Sequence, residues 1–368
     1  MYSCMRERNH RDHVPKVRLD ATKHETLKFS LSSIELIQLE RTIDSTIPYV
    51  QKAYLDSNND RLFILADCNL YIYDGNGMYI SKLSIGNGPG EVLQVSSFAV
   101  DPISEIIYVL DMARFINVYD YSGNFIKRTQ LDEFYSSDIF SLDSNNLFLI
   151  CNFVGKGEMF FVGRYEVPVN MIRERFVSIS NSPYAISTNL MVQNSFFYKG
   201  NSVMFFNPNI FSLFQYKNES FVKIISLDLG NRKVPEDFAK RFYDHNRSAF
   251  RDEAKRRKYV PVLTYAFYYG GYYLIGIDDD SSSCYAINSS NFNEVYENKS
   301  LSSYFGLPEI PSLKFPPVGF QEDMILFGCD VSDFFDELTP GSTKTIEIAN
   351  INKKVCIDDN PIILIIRQ

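Results

Sequence analysis

Histidine and cysteine are the side chains best suited to nucleophilic, acid–base and metal chemistry near neutral pH. This chain of 368 residues has four of the first and six of the second. His10, His13 and His24 fall in a polar N-terminal stretch, and His245 lies far away in a charged one. A catalytic triad or a multi-histidine zinc site has almost nothing to be built from. Cys4, Cys68, Cys151, Cys284, Cys329 and Cys356 are scattered, with no C-x-x-C pair for zinc or thiol exchange. Five of them lie in or near apolar runs, where a free cysteine behaves as a small hydrophobe. The histidines and cysteines therefore point to no catalytic group, metal ligand or cofactor site.

Carboxylates and glycines offer three further patterns. Asp278-Asp279-Asp280-Ser281-Ser282-Ser283 invites calcium, but it lacks the D-x-D-x-D-G spacing and the distal bidentate Glu of an EF-hand. A solvated turn is the expectation, and the same holds for the looser set Asp330, Asp333 and Asp336. The glycine-rich loop Gly86-Asn87-Gly88-Pro89-Gly90-Glu91 could cradle a phosphate. A P-loop, however, needs Gly-Lys-Ser/Thr followed by a helix, whereas Glu91 puts a repelling carboxylate there, between strand-like sequences. A structural turn is expected. Lys255-Arg256-Arg257-Lys258 reads as the basic end of a helix.

The elements that must position any site come from composition and repetition. Thirty Phe and 24 Tyr without a single Trp favour strands, whose half-buried surfaces suit flat side chains. Lys plus Arg number 37 against 45 Asp plus Glu, a net charge of −8, so no global positive field exists to hold nucleic acid. No apolar run approaches the roughly 20 residues needed to cross a bilayer.

Repetition decides the fold. Leu62-Phe63-Ile64-Leu65-Ala66-Asp67, then Leu70-Tyr71-Ile72-Tyr73-Asp74 and Gly77, recurs as Ile106-Ile107-Tyr108-Val109-Leu110-Asp111, Ile116-Asn117-Val118-Tyr119-Asp120 and Gly123. A period of roughly 40–50 residues with several strands per unit is the pattern of propeller blades. Asp74 to Gly77 and Asp120 to Gly123 are read as blade turns, the glycine supplying the positive φ. Fainter units open at Asn146, Ser202, Tyr272 and Asp323, each with an apolar run suited to a strand covered on both faces. The expectation is an all-β, six-bladed propeller of four-stranded antiparallel blades over residues 30–368, after a polar leader, residues 1–29. One helical insertion is expected at about 235–258, where Phe238, Phe242, Ala249, Phe250 and Ala254 lie close to one stripe behind Pro235.

The run Ile85-Gly86-Asn87-Gly88-Pro89-Gly90-Glu91 followed by Phe98-Ala99-Val100-Asp101 resembles the G-x-G-P-G-E signature of six-bladed propellers from Gram-negative, Bacteroidetes-type gut anaerobes. That family is related to NHL-repeat and TolB-like propellers. Ile225-Ser226-Leu227-Asp228-Leu229-Gly230 with Val234-Pro235, and the ending Asp359-Asn360-Pro361-Ile362-Ile363-Leu364-Ile365-Ile366, resemble its mid-chain strand and closing strand. The resemblance implies an envelope lipoprotein of unassigned function, facing the periplasm or the outside. It supports reading Cys4, behind a small residue and ahead of a polar stretch, as a lipid attachment point. The competing reading of Cys4 is an ordinary cysteine near a frayed end.

Two functions fit. One is a monomeric, non-catalytic propeller that binds a protein, peptide or glycan at one face, touching a membrane only through a lipid. The other is a lyase or hydrolase with a carboxylate-bound metal in the channel. For ring closure, Ile362–Ile366 is expected to be an inner strand of the final blade, buried on both faces, joined by an outer, half-exposed N-terminal strand at Ile34–Leu39. Deleting residues only through Lys28 is expected to do little.

Overall fold

The computed structural model describes residues 14–20, 22–23, 27–131, 135–151, 160–178, 194–208, 210–241, 247–278, 283–307, 311, 316–321, 323–335, 339–348 and 351–368. Six antiparallel sheets of four strands follow one another around a ring. The first blade contains Lys52–Asp56, Arg61–Ala66, Asn69–Tyr73 and Tyr79–Lys82, and the second Val95–Asp101, Ile106–Asp111, Phe115–Asp120 and Phe125–Gln130. The third runs from Ser136–Asp143 to Met171–Ser178, the fourth from Phe196–Lys199 to Ser220–Asp228, and the fifth from Leu263–Tyr269 to Val295–Asn298. The sixth is composite: Gly319–Phe320, Met324–Cys329 and Ile362–Arg367 come from the end of the chain, and Ser33–Gln38 from its start. A hairpin, Thr343–Ile348 with Ile351–Cys356, is inserted between the second and third of these strands.

Side chains alternate between the two faces of a strand, so an apolar run without polar interruptions feeds two packing layers at once. Ile363 and Ile365 pack with Leu62, Ile64 and Ala66 of the first blade, while Ile362, Leu364 and Ile366 pack toward the fifth. In the first blade Phe63 and Leu65 turn the other way, onto Val100, Ile107 and Val109 of the second. The aromatic surplus is concentrated where the third blade meets the fourth. Phe148 lies 4.9 Å from Tyr216 and 5.1 Å from Phe221, and Phe196 5.4 Å from Phe205, measured between ring centroids.

Three sequence expectations need correction. First, the chain before residue 30 is not merely a leader. Lys16–Arg18 pairs in parallel with Ser226–Asp228 as a fifth, outermost strand of the fourth blade, burying Val17 and Leu19. Lys23 bridges to Tyr296 on the fifth blade, and the Phe29 ring meets Tyr269 and Tyr272 edge-on at 5.4 and 5.6 Å. The described residues between 16 and 38 thus strap the outside of three blades; alternate apolar residues make this possible within a stretch that is polar on average. Second, the described residues of the insertion form two helices, Glu236–Arg241 and Arg247–Arg256, closing on Val234, Phe238, Phe250 and Ala254. The basic run is partly internal to it, since Arg256 and Arg257 both pair with Glu253. Third, the units read from sequence at Asn146, Ser202, Tyr272 and Asp323 begin one strand late: these are second strands, each preceded by an inner strand.

Ring closure occurs as the pattern requires. Ser33–Gln38 pairs in full register with Ile362–Arg367, Ile34 opposite Ile366 and Gln38 opposite Ile362. Ile362–Arg367 is interior to its sheet and buried at all but its last residue. It is, however, the third strand from the channel and not the inner one expected, because Gly319–Phe320 and Met324–Cys329 precede it in the blade. Asn360 locks the junction, donating to the Glu40 carbonyl at 2.9 Å and accepting from the Ile47 amide at 3.0 Å.

Candidate binding channel

Each blade presents its first strand to the central channel, and residues there meet their counterparts from other blades. Lys52 opens the first inner strand, and its ammonium lies 2.8 Å from Asp138 Oδ1 and 2.9 Å from Ser97 Oγ. Ser97 donates to the same carboxylate oxygen at 2.7 Å, as does the Ile139 amide at 3.0 Å. The Ser195 amide donates to Asp138 Oδ2 at 3.0 Å. The group ties together four successive blades, and the Asp138 side chain is 1% exposed against 12% for Lys52. A buried ion pair stabilises only when the remaining lone pairs find donors, and here they do. Sequence reading missed this cluster because its members are 45 and 86 residues apart from Lys52, in runs with no motif.

Above the clasp, on the face where the inner strands begin, a pocket of about 730 Å³ opens. Tyr49, Val50, Pro316, Pro317, Val318 and Pro361 form its apolar walls; Gln51, Gln94 and Asn194 are among its polar ones. Tyr49 is 53% exposed, an aromatic face held at the rim. Two glycines permit the close approach of the first and sixth blades beneath it. A Cβ on Gly319 would collide with the Ala53 carbonyl, and one on Gly328 would come within 3.0 Å of Val50 Cβ. The Ala53 amide accordingly reaches the Val318 carbonyl at 2.7 Å.

The residues singled out from sequence take up other places. Asp74 Oδ1 accepts from the amides of Asn76 and Met78, and Gly77 has φ +89°; Asp120 Oδ1 accepts from Ser122 and Asn124, and Gly123 has φ +83°. These are turns joining third to fourth strands. In the glycine-rich loop the Glu91 carboxylate folds back onto the loop itself, accepting from the Gly88 amide at 2.6 Å. Gly86 and Gly88 leave the space that carboxylate fills, Gly90 packs against Phe125, and the loop runs through Pro89 between the first and second blades. Asp330 caps a short 3₁₀ turn by accepting from Ser332, and it lines the upper pocket with Asp333; Asp336 lies outside the described residues. Asp278 is bound by Arg251 and Lys255, each at 2.6 Å, which docks the helical insertion on the fifth blade. Asp279 to Ser282, the four histidines and Cys4 lie outside the described residues. Among the described residues, no three His, Cys, Asp or Glu side chains are grouped as metal ligands.

The described cysteines divide by exposure. Cys68 sits exposed at the upper pocket, in a tight turn with φ +59°. Burial pushes the Cys284 thiol from 9 up to about 12, and burial with Asp333 and Asp330 nearby does the same for Cys329. Burial also raises Cys151. Native protein treated with iodoacetamide near pH 8 should therefore be modified at Cys68 while Cys151, Cys284 and Cys329 stay protected, as peptide mass spectrometry would read. A thiol whose folded pKa is raised favours the folded state fully below its unfolded value. The contribution of Cys284 and Cys329 is lost as pH rises from about 9 toward 12. Labelling of Cys284 at pH 8 in folded protein would contradict the packing.

Residues 16–367 match the model of a family described as "Domain of unknown function (DUF4934)". A search of curated proteins gives no match. Among solved structures, a protein of Bacteroides fragilis NCTC 9343 described as a "Putative exported protein" is similar at TM-score 0.68 and 14% identity, over 96% of this chain and 98% of that one. U3-55K and the RRP9 WD40 repeats each reach TM-score 0.48 at 10% identity, over 92% and 93% of this chain and 99% of each of those. At 14% identity the first likeness is one of fold alone.

Proposed function

We propose that this chain, which belongs to the DUF4934 family, is a non-catalytic propeller of the cell envelope, binding a protein, peptide or glycan at the upper mouth of its channel. The observation that carries the reading is the pocket itself: an open, mainly apolar concavity with an exposed tyrosine at its rim and amide side chains on its walls. Ligand sites have this composition, apolar surface for affinity and a few polar groups for orientation. Loops on a rigid ring are where propellers can vary binding without disturbing the core. The channel's most buried carboxylate supports the non-catalytic side, because Asp138 is already engaged by Lys52, Ser97 and two backbone amides.

Export is favoured by the similarity to the Bacteroides protein so described. The finer proposal of a monomer anchored through a lipid on Cys4 rests on the resemblance of the N-terminal sequence and of the Gly86–Glu91 signature to NHL- and TolB-related envelope lipoproteins. To test the binding function, the purified chain is screened on oligosaccharide and peptide arrays, and each hit is titrated against Tyr49→Ala. At least one hit should weaken about tenfold, as loss of a stacked or packed aromatic at a site centre does. Hits indifferent to Tyr49, or no hit at all, would refute it.

A further inference from the structure

Below the clasp the channel continues as a second cavity of about 570 Å³, and its lining differs from that of the upper mouth. Its walls include Tyr54, Phe140, Phe196, Tyr198 and Phe320, and its carboxylates are Asp101, Asp138, Asp143 and Asp323. Lys52 supplies the single ammonium among its lining residues, and that group is paired with Asp138. Asp143 and Asp323 are exposed at the lower opening. Asp143 accepts from the Asn145 amide and the Asn146 side chain, and Asp323 lies 3.9 Å from Arg367.

Asp101 is different. It is 4% exposed, its Oδ1 accepts from the amides of Ile103 and Ser104 at 3.1 and 3.3 Å, and among the described residues no donor reaches its buried Oδ2. The comparison with the first blade shows what is missing. Asp56 ends that inner strand as Asp101 ends the next, and Asp56 Oδ2 accepts from Tyr121 at 2.7 Å and from Asn59 at 2.9 Å. Tyr121 directly follows the third strand of the neighbouring blade; the corresponding position in the third blade is Val167, which has no hydroxyl. A buried carboxylate oxygen without a donor is costly. Asp101 is among the residues lining a cavity rich in aromatic rings, whose faces attract cations.

We propose that the lower channel binds an alkylammonium or guanidinium group of a ligand, such as the side chain of a basic peptide, with Asp101 Oδ2 as the acceptor and the aromatic walls around the cation. This site lies beyond the clasp from the upper mouth, with Asn194 alone lining both, and it does not depend on the reading given for that mouth. Burial and the charges of Asp56 and Asp101 hold the Tyr54 hydroxyl in its protonated form, in keeping with a negative field in this part of the channel.

The test is calorimetric titration of the full chain with Gly-Lys-Gly, with the same peptide acetylated on the lysine side chain, with 1,5-diaminopentane and with calcium chloride. The lysine peptide should bind and its acetylated form should not; binding should weaken with added salt, as it must for a charge-dependent contact. Diaminopentane binding as well as the peptide would assign recognition to the amine alone; weaker binding would assign part of it to the peptide chain. Asp101→Asn keeps the Oδ1 acceptor and should lower affinity at least tenfold at an unchanged melting temperature. Asp143→Asn, at the exposed rim, should cost only two- to threefold, and it decides the matter if the first variant fails to fold. Absence of amine binding, equal affinity in wild type and Asp101→Asn, or calcium binding in place of amine binding would overturn the proposal.

Discussion

Deleting residues through Leu39 should abolish cooperative folding of the propeller, whereas deleting through Lys28 should leave a folded but weaker ring. The larger deletion removes the strand that pairs with Ile362–Arg367 and takes Ile37 and Leu39 out of the layer between the sixth and first blades. Ile34 and Leu36, packed on the opposite layer, go with them. At about 1.5–3 kcal/mol per fully buried aliphatic side chain, as an upper bound, the loss is comparable with the whole stability of an ordinary domain. It also leaves the closing strand with an open edge. The shorter deletion removes Val17 and Leu19, both buried, and the ion pair of Lys16 with Asp228. By the same scale it should cost a few kcal/mol at most, seen as a melting temperature lowered by several degrees. Indistinguishable urea midpoints for the two truncations would show that the ring is not closed by this strand.

The second large effect is expected at the clasp. Lys52→Met leaves the Asp138 carboxylate without its ammonium at a site 1% exposed. Breaking a buried pair from one side costs about 3–5 kcal/mol, because the remaining charge has neither water nor counter-ion. The double variant Lys52→Met with Asp138→Asn removes that charge while keeping an acceptor for Ser97 and the amides of Ile139 and Ser195. It should recover more than half of the loss. A single variant within about 1 kcal/mol of wild type would mean that the pair is screened by water in the channel, as surface pairs are.

What could be read from sequence follows from where burial is two-sided. Arg61–Ala66, Ile106–Asp111 and Ile362–Arg367 are covered on both faces, so their apolar runs are uninterrupted and stand out. The Asp-x-x-Gly turns stand out because their geometry demands those residue types. Inner strands such as Ser136–Asp143 face the channel on one edge and carry the polar residues Ser137 and Asp138 in an otherwise plain run, which is why the repeat reads one strand late. The N-terminal strap was missed for a similar reason. Ahead of the closing strand, Val17, Leu19, Leu27, Phe29 and Leu31 mark it, a spacing too sparse to separate from a polar tail. Neither channel site has a sequence motif. The upper pocket is made of prolines, valines and amides from separate loops, and the role of Asp101 emerges only when Tyr121 and Val167 are set at matching positions of neighbouring blades.

The central claim, that ligand binds at the upper mouth, can be tested through a group the protein already carries there. Cys68 is exposed and lines the pocket, with the Gln94 side chain 3.6 Å from its sulfur. The described buried cysteines are shielded by packing, so a bulky maleimide should attach at Cys68 without unfolding the ring. Binding of the array hits should then fall at least tenfold on the labelled protein and return in Cys68→Ser treated with the same reagent. Unchanged binding after complete labelling of Cys68 would contradict the account and move the site elsewhere.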